Sequence, residues 1–260
     1  DRILVDTGSY DLDSPVTIDV SKYTGVVTNP LQIIGSTNMA AGGTRINRKN
    51  GVVAFQFNRV NAVTLSHFSI TNAVVGVRMN SSTNMVLEWL DIKGAGTGIE
   101  LIGSRNALLR HNVIRESKTN AVANLQSTGT VFQSSVLWSN TTAIYLSLAV
   151  PPVAGGLDNM ITVSNTAIVA FGPQSYAYSI ESGSLQANYN NIFLTNNALL
   201  ARRTGGFYTR LFNSLEQWRH ETGEDVFSLS SEPRFVEPES GNFFLRSQAG
   251  RYNPSEGFVQ

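Results

Sequence analysis

The sequence predicts an all-β fold, a single-stranded parallel β-helix whose coils are about 22 residues long. Three columns of like residues between Val63 and Leu146, each repeating at spacings of 22 or 23, carry this prediction. The columns are Leu65, Leu87, Leu109 and Phe132; Ile70, Ile92, Ile114 and Leu137; and Val77, Ile99, Val122 and Ile144. Because one coil cannot bury its own apolar side chains, coils must stack about 4.8 Å apart to close a core.

The coils are less regular at both ends of this stretch. Residues 1–30 alternate as short strands broken by turns, and the regular rhythm begins at Gly51. After Leu146 the rhythm slips over Ser147–Gly156, which contains two adjacent prolines and two adjacent glycines. Insertions in repeat proteins form loops on one face, often the binding face. We therefore expect a loop at Ser147–Gly156, and a cleft walled by this loop would favour an enzyme.

The last part of the chain predicts a cap. Ser214 and Gln217 form a capping box at the start of a short helix, and Gly223 supplies its C-terminal stop. The open end of a β-helix exposes unpaired strand edges, so a helix that covers it protects against aggregation. We expect a parallel β-helix over residues 1–210 and a capping segment over residues 211–260, packed on the same domain.

Composition narrows the classes of function. Nineteen basic and nineteen acidic side chains cancel, which argues against nucleic acid or an anionic membrane as partner. There is no cysteine, which excludes disulfides, thiolate metal ligands and cysteine nucleophiles, and no apolar run approaches the ~20 residues of a membrane span. Between Thr119 and Ile180 the only Asp, Glu, Lys, Arg or His is Asp158. Such a neutral polar surface suits sugars, neighbouring protein or water.

The coils resemble a known superfamily. The segment Asn106–Arg115 is similar to coils of the right-handed parallel β-helix proteins of the pectate-lyase-like superfamily, and the C-terminal run resembles a module of large secreted bacterial β-helix proteins. The motif elements of that module are Tyr189-Asn190, Trp218, Thr222-Gly223, Asp225, Ser228, Pro233, Phe235, Phe243–Leu245, Gly250-Arg251-Tyr252 and Pro254. The resemblance implies right-handed coils and a secreted or cell-surface location in bacteria. It leaves the activity open, because the superfamily includes lyases, hydrolases, epimerases, phage tailspikes and adhesin shafts.

The sequence motifs of two enzymatic subfamilies of this superfamily do not occur in this sequence. Pectate lyases resemble one another in clustered calcium-binding aspartates beside a basic residue, whereas Asp91 has no acidic neighbour in its column. Polygalacturonase-like hydrolases carry an Asp pair and a Gly-His-Gly, neither of which occurs. Asp11 and Asp13 are placed to touch a calcium ion but lack the remaining ligands of a calcium loop. We therefore expect no cofactor and no metal, and we favour a noncatalytic protein over an enzyme.

Lys93, Arg115 and Trp138 are expected to share one outward column, here called the basic column. Two stacked cations repel each other and therefore need a counter-anion, and an aromatic ring beside Arg115 could add a cation–π contact. This suits a uronate polysaccharide, and a Lys or Arg with a lowered pKa could abstract the proton α to a carboxylate. The alternative is a solvated face with a packed tryptophan.

His67, Trp89 and His111 recur at a spacing of 22 in a second outward column, the aromatic column. Flat rings about 4.8 Å apart predict either a platform for stacking sugars or a structural ladder. Metal binding is not expected, since two coils separate the histidines and the column holds no carboxylate.

Five further residues, two pairs and one asparagine, are assigned from the spacing. Glu88 lies one coil from Arg110, and Arg78 one coil from Glu100, so both pairs are interpreted as cross-coil salt bridges, with general acid–base roles as the alternative. Asn112 is expected to point inward at a turn and to bond the backbone of an adjacent coil.

Two functions remain open from the sequence. The first is a noncatalytic extracellular module, a shaft or adhesin segment that holds carbohydrate on the basic or the aromatic column. The second is a polysaccharide lyase or related enzyme acting on an acidic polysaccharide, with Arg115, Lys93 or His111 handling the proton. The chain begins inside a strand and shows no signal peptide, so we expect a mature fragment whose partners include neighbouring domains of a longer protein.

Overall fold

The computed structural model describes residues 1–20, 26–148, 158–205 and 208–246, and the backbone of 252–253 and 257–258. The chain forms two compact units, residues 1–230 and 231–260. From residue 149 on, the expected insertion at Ser147–Gly156 lies outside the described residues. The expected division at residue 210 stays a prediction.

The first unit is a stack of coils with three strand-bearing faces. The first face is an eight-stranded parallel sheet, Arg2–Leu4, Leu31–Ile34, Val63–Ser66, Val86–Glu88, Leu108–Arg110, Thr130–Gln133, Met160–Ser164 and Ser184–Asn188. The second face contains the strands Gly8–Asp11, Asp91–Lys93, Val113–Arg115, Val136–Trp138, Ala167–Phe171 and Asn191–Thr195. The third face contains the strands Val16–Asp19, Thr97–Ile102, Asn120–Leu125, Thr142–Ser147, Tyr176–Ile180, Leu199–Gly205 and Tyr208–Phe212. The long strands Thr44–Asn58 and Phe68–Asn80 belong to both the second and third faces and join them into one sheet. The all-β parallel β-helix is therefore confirmed.

The register places the expected columns residue on residue. On the first face Leu65, Leu87, Leu109 and Phe132 are paired in sequence. The columns that begin at Ile70 and Val77 are paired in the same way on the second and third faces. All twelve side chains are fully buried. The core is thus a set of apolar ladders that run along the stack.

Strands of the third face need small residues at the positions that pack against isoleucine side chains of the second face. A Cβ added to Gly98 would lie 2.5 Å from Cγ2 of Ile114 and 2.6 Å from the backbone oxygen of Ala121. Both distances are shorter than side chains tolerate, so a neighbour must shift. Gly98 therefore marks a position where the packing leaves no room for a methyl group.

We expect Gly98→Ala to lower the free energy of unfolding by about 1–3 kcal/mol, because the added methyl overpacks the core. Gly205→Ala is the matched control, since among the described residues, chain neighbours aside, a Cβ there would meet no atom within 4 Å. Urea denaturation of both variants measures the difference. Equal stability of the two variants would contradict the tight packing.

The stack ends in an antiparallel strand and a helix. Tyr208–Phe212 pairs antiparallel with Leu199–Gly205 and covers the last strand of the third face, which the sequence did not predict. The helix Leu215–Thr222 follows, capped as expected: Oγ of Ser214 accepts from the Gln217 amide at 3.2 Å, and Gly223 ends it with φ 75°. Its two buried residues, Leu215 and Trp218, belong to the core of the coils.

The phenol of Tyr178 is buried beneath this helix. Its ring centroid lies 5.8 Å from the ring centroid of Trp218. Burial raises the pKa of Tyr178 well above its ordinary value, and the negative charge of Asp225 adds to the effect. The hydroxyl meets no partner at hydrogen-bonding geometry among the described residues, so Asp225 acts on it mainly through charge. The folded protein therefore keeps this phenol neutral at pH values where an unfolded tyrosine ionises.

A loss of stability at high pH follows. Above about pH 10 the unfolded chain releases the phenol proton while the folded chain retains it, so stability falls as pH rises, by about 1.4 kcal/mol per pH unit for this group. Denaturation curves between about pH 9 and pH 11.5 should therefore be less steeply pH-dependent for Tyr178→Phe than for the wild type. Parallel curves for the two proteins would refute this.

The second unit, residues 231–260, is small. Phe235–Glu237 pairs antiparallel with Asn242–Leu245 across a 3-10 turn at Pro238–Ser240. Tyr252–Asn253 pairs antiparallel with Gly257–Phe258.

Candidate functional site

The basic column forms in the expected register but is not open to solvent. Arg115 is paired with Lys93 on one side and with Trp138 on the other. Only 7% of Arg115 and 7% of Trp138 is exposed, so neighbouring side chains largely cover these two residues of the column. Trp138 packs edge-on against Phe171 of the next coil, with ring centroids 5.4 Å apart. Lys93 alone remains half-exposed.

The protein itself supplies the counter-anions that the basic column calls for. Nε and Nη2 of Arg115 donate to the two carboxylate oxygens of Asp91 at 3.1 and 3.0 Å. Nζ of Lys93 lies 3.4 Å from Glu116. Nη1 of Arg115 is buried and has no partner among the described residues. An acidic sugar would thus meet a column whose charge is already neutralised.

The aromatic column is a continuous stack of rings at the sharp turn between the first and second faces. The turn residue of each coil has a left-handed backbone, with φ between 50° and 63° in His67, Trp89, His111, Ser134, Asn165 and Tyr189. This conformation bends the chain within one residue and is tolerated best by short polar side chains. Trp89 is therefore an unusual occupant, and it is 52% exposed.

The stacking geometry bears on which ligand this column could hold. The ring of Trp89 is 4.6 Å from that of His111 at an interplanar angle of 15°, and 6.1 Å from that of His67 at 20°. Both faces of the indole are thus turned toward histidine rings, and the edge is turned to solvent. Sugars pack on the face of an aromatic ring. The geometry favours the structural ladder, and sugar binding here stays a prediction.

The two cross-coil salt bridges are confirmed. Nη2 of Arg110 lies 2.7 Å from Glu88, and Nε of Arg78 donates to Glu100. With Asp91 and Glu116, these are the four acidic residues of the described coils 63–148, and each is held by an arginine or lysine. All four are therefore engaged in ion pairs, and a general acid–base role for them stays a prediction.

The described residues offer no metal centre. No group of three or more His, Cys, Asp or Glu side chains within them is arranged to hold an ion. Nζ of Lys49 lies 3.0 Å from Asp13 and 3.6 Å from Asp11. The ammonium group thus already stands where a calcium ion would bind this pair.

In the described part of the chain, no helix has the length and apolar character needed to cross a membrane.

A polar cluster that the sequence analysis did not predict lies on the third face. It consists of Tyr145, Ser147, Tyr176, Glu181 and Arg202, and is called the Glu181 cluster below. Oε2 of Glu181 accepts from the Tyr145 hydroxyl at 2.7 Å and from the Ser147 hydroxyl at 3.1 Å. Arg202 lies 3.6 Å from Oε1 of Glu181, and its guanidinium carbon is 5.2 Å from the centre of the Tyr176 ring. The pKa of Tyr145 is raised above its ordinary value, chiefly because the phenol is partly buried.

The irregular coil explains why this cluster was missed. Tyr145, Ser179 and Arg202 are paired in one column, but the first step is 34 residues long instead of 22 or 23. A search at constant spacing therefore loses the column after Tyr145. One signal was available, because Glu181 is the first charged residue after the uncharged stretch that follows Asp158.

Comparison with known proteins shows the family. The model of the right handed beta helix region matches residues 50–214, more than half of the 260 residues. The chain therefore belongs to the right-handed β-helix family. Comparison with curated protein sequences gives no match.

Comparison with solved structures shows a likeness in fold to the catalytic domain of a glucanase. The catalytic domain of a GH87 α-1,3-glucanase variant in complex with tetrasaccharides aligns with a TM-score of 0.51 and 13% identity, over 74% of this chain and 41% of that one. DFA-IIIase from Arthrobacter chlorophenolicus A6, in complex with GF2, aligns with a TM-score of 0.39 and 12% identity, over 75% of this chain and 60% of that one. The chain thus spans about two-fifths of the glucanase domain. At these identities the likeness concerns the fold.

Proposed function

We propose that this chain is a noncatalytic, extracellular β-helix module that binds carbohydrate on its outer surface. In this role the coils form a stiff support within a longer bacterial protein, secreted or displayed at the cell surface, whose other domains are its neighbours. The module needs no cofactor and takes a polysaccharide as its external partner.

The pairing of the acidic residues in coils 63–148 carries this proposal. Glycoside hydrolases use two carboxyl groups on either side of the scissile bond, one of which must be free to donate or accept a proton. Glu88, Asp91, Glu100 and Glu116 are instead engaged with basic partners. Paired in this way, the carboxylates stabilise the surface of the coils and are poorly placed for proton transfer.

The lyase alternative is less well supported by the geometry. A lyase needs a base that approaches the proton α to the uronate carboxylate. Arg115 is buried and held by Asp91, and Lys93 is held by Glu116. His111 is stacked against Trp89 at the turn. These three candidates are therefore engaged within the protein.

Product formation tests the proposal. The protein is incubated at micromolar concentration with α-1,3-glucan, β-1,3-glucan, xylan, polygalacturonate, alginate and hyaluronan, and the reactions are assayed for new reducing ends and for the absorbance of unsaturated uronates. We expect no product above the buffer control with any polymer. Product that rises with protein concentration and disappears in a Glu181→Gln or Lys93→Ala variant would establish an enzyme instead.

A further inference from the structure

We propose that the Glu181 cluster is the carbohydrate-binding site, and that its ligand is a neutral oligosaccharide. This inference rests on the proposed function and assigns it to a place on the third face. The cluster holds one carboxylate, one guanidinium group and two phenols, so its formal charge is zero. Tyr145, Ser147 and Tyr176 lie in the stretch from Thr119 to Ile180, where Asp158 is the only charged residue.

The hydrogen-bonding capacity of the cluster is only partly used. Oε2 of Glu181 accepts from two hydroxyls, whereas Oε1 has only the Arg202 guanidinium at 3.6 Å among its described neighbours. Nε and Nη2 of Arg202 donate to Oγ of Ser179, and within the described residues its Nη1 makes no hydrogen bond. The Glu181–Arg202 ion pair therefore keeps acceptor capacity on Oε1 and donor capacity on Nη1, which matches the hydroxyl groups of a sugar ring.

The cluster is also held in place before any ligand arrives. Arg202 is fixed by Ser179 on one side and by the ring of Tyr176 on the other. Glu181 is fixed by Tyr145 and Ser147. The side chains of Glu181 and Arg202 nevertheless remain 40% and 35% exposed. Groups that are fixed and accessible lose little conformational entropy when they bind a ligand.

Tyr145 supplies the aromatic surface that the aromatic column does not offer. Its paired neighbours are Ala123 in one adjacent coil and Ser179 in the other. Neither residue carries a ring or a long chain that could stack on the phenol. Trp89, in contrast, lies between two histidine rings. A pyranose ring can therefore pack against Tyr145 while its hydroxyl groups reach Glu181 and Arg202.

Titration calorimetry on the full chain tests the assignment, with nigerotetraose, laminaritetraose and maltotetraose as neutral probes and tetragalacturonate as the acidic probe. We expect a neutral tetrasaccharide to bind the wild type. Tyr145→Ala and Glu181→Gln should each weaken that binding at least about tenfold, and Tyr145→Phe about threefold, because it keeps the ring and loses one hydrogen bond. Phe244→Ala, which removes an exposed ring outside the candidate sites, should bind as the wild type does. Near-ultraviolet circular dichroism verifies that each variant is folded.

The outcomes separate this inference from the proposed function. Wild-type affinity in both Tyr145→Ala and Glu181→Gln, or binding of tetragalacturonate alone, would overturn the Glu181 cluster as the site while leaving a carbohydrate-binding module in place. Absence of binding to all four probes would overturn both. If Tyr145→Ala does not fold, the conservative Glu181→Gln variant decides the matter.

Discussion

Replacement of Asp225 with alanine is expected to lower the free energy of unfolding of the first unit by about 3–5 kcal/mol. The carboxylate is fully buried. It accepts hydrogen bonds from Nε1 of Trp218 at 3.2 Å, from Nδ2 of Asn190 at 3.0 Å and from Oγ of Ser228 at 2.5 Å. Alanine leaves Nε1 of Trp218 and Oγ of Ser228 without an acceptor, and Nδ2 of Asn190 keeps only the backbone oxygen of Val163. Each buried donor left unmet costs about 1–3 kcal/mol.

The Asp225 carboxylate also links the helix to the coils through its hydrogen bonds. Trp218 belongs to the helix Leu215–Thr222, and Asn190 lies at the turn before the strand Asn191–Thr195. We therefore expect the loss in Asp225→Ala to include separation of the helix from the last coils. Thermal and urea denaturation measure it, with Asp13→Ala as control, because the exposed Asp13–Lys49 pair contributes at most about 1 kcal/mol. Equal stability of Asp225→Ala and Asp13→Ala would show that Asp225 does not join the two elements.

Replacement of Asn112 with alanine is expected to cost about 2–4 kcal/mol. The amide is fully buried at the turn between the first and second faces. Its oxygen accepts from the backbone amide of Leu90 at 3.0 Å, and its nitrogen donates to the backbone oxygen of Leu87 at 3.0 Å. In the variant the backbone amide of Leu90 loses its side-chain acceptor and the backbone oxygen of Leu87 loses a donor, so this side-chain link between two neighbouring coils is lost.

Asn120→Ala is the matched control for Asn112→Ala. Asn120 lies on a strand of the third face, and its partly exposed side chain has no hydrogen bond within the described residues. Its replacement should change stability by no more than about 0.5 kcal/mol. Urea denaturation of the two variants gives the comparison. A loss below about 1 kcal/mol in Asn112→Ala would contradict its interpretation as a structural ladder residue.

Much of the fold could be predicted because a β-helix repeats the same environment at every coil. Leu87 meets Leu65 and Leu109 because one spacing fixes all three positions, and the same spacing pairs Glu88 with Arg110. Spacing identifies neighbours along the stack, but it does not say how deeply a residue is covered. The burial of Arg115 could not be predicted in this way, since it depends on the conformations of the side chains around it.

The candidate site was harder to predict for two physical reasons. The spacing of the aromatic column was correct, but the left-handed turn that directs Trp89 toward both histidine rings is a backbone property invisible in the spacing. The Glu181 cluster forms across the irregular coil, where the step from Tyr145 to Ser179 is 34 residues. Its residues become neighbours only when the coils are stacked.

Affinity electrophoresis tests the central claim most directly. The wild-type protein is run through native gels that contain a neutral glucan, xylan, pectin, alginate, hyaluronan or no polymer. The account predicts selective retardation by a neutral polymer, with the protein recovered unchanged and the polymer uncut. Equal mobility in all gels, or retardation accompanied by cleavage of the polymer, would contradict a noncatalytic carbohydrate-binding module.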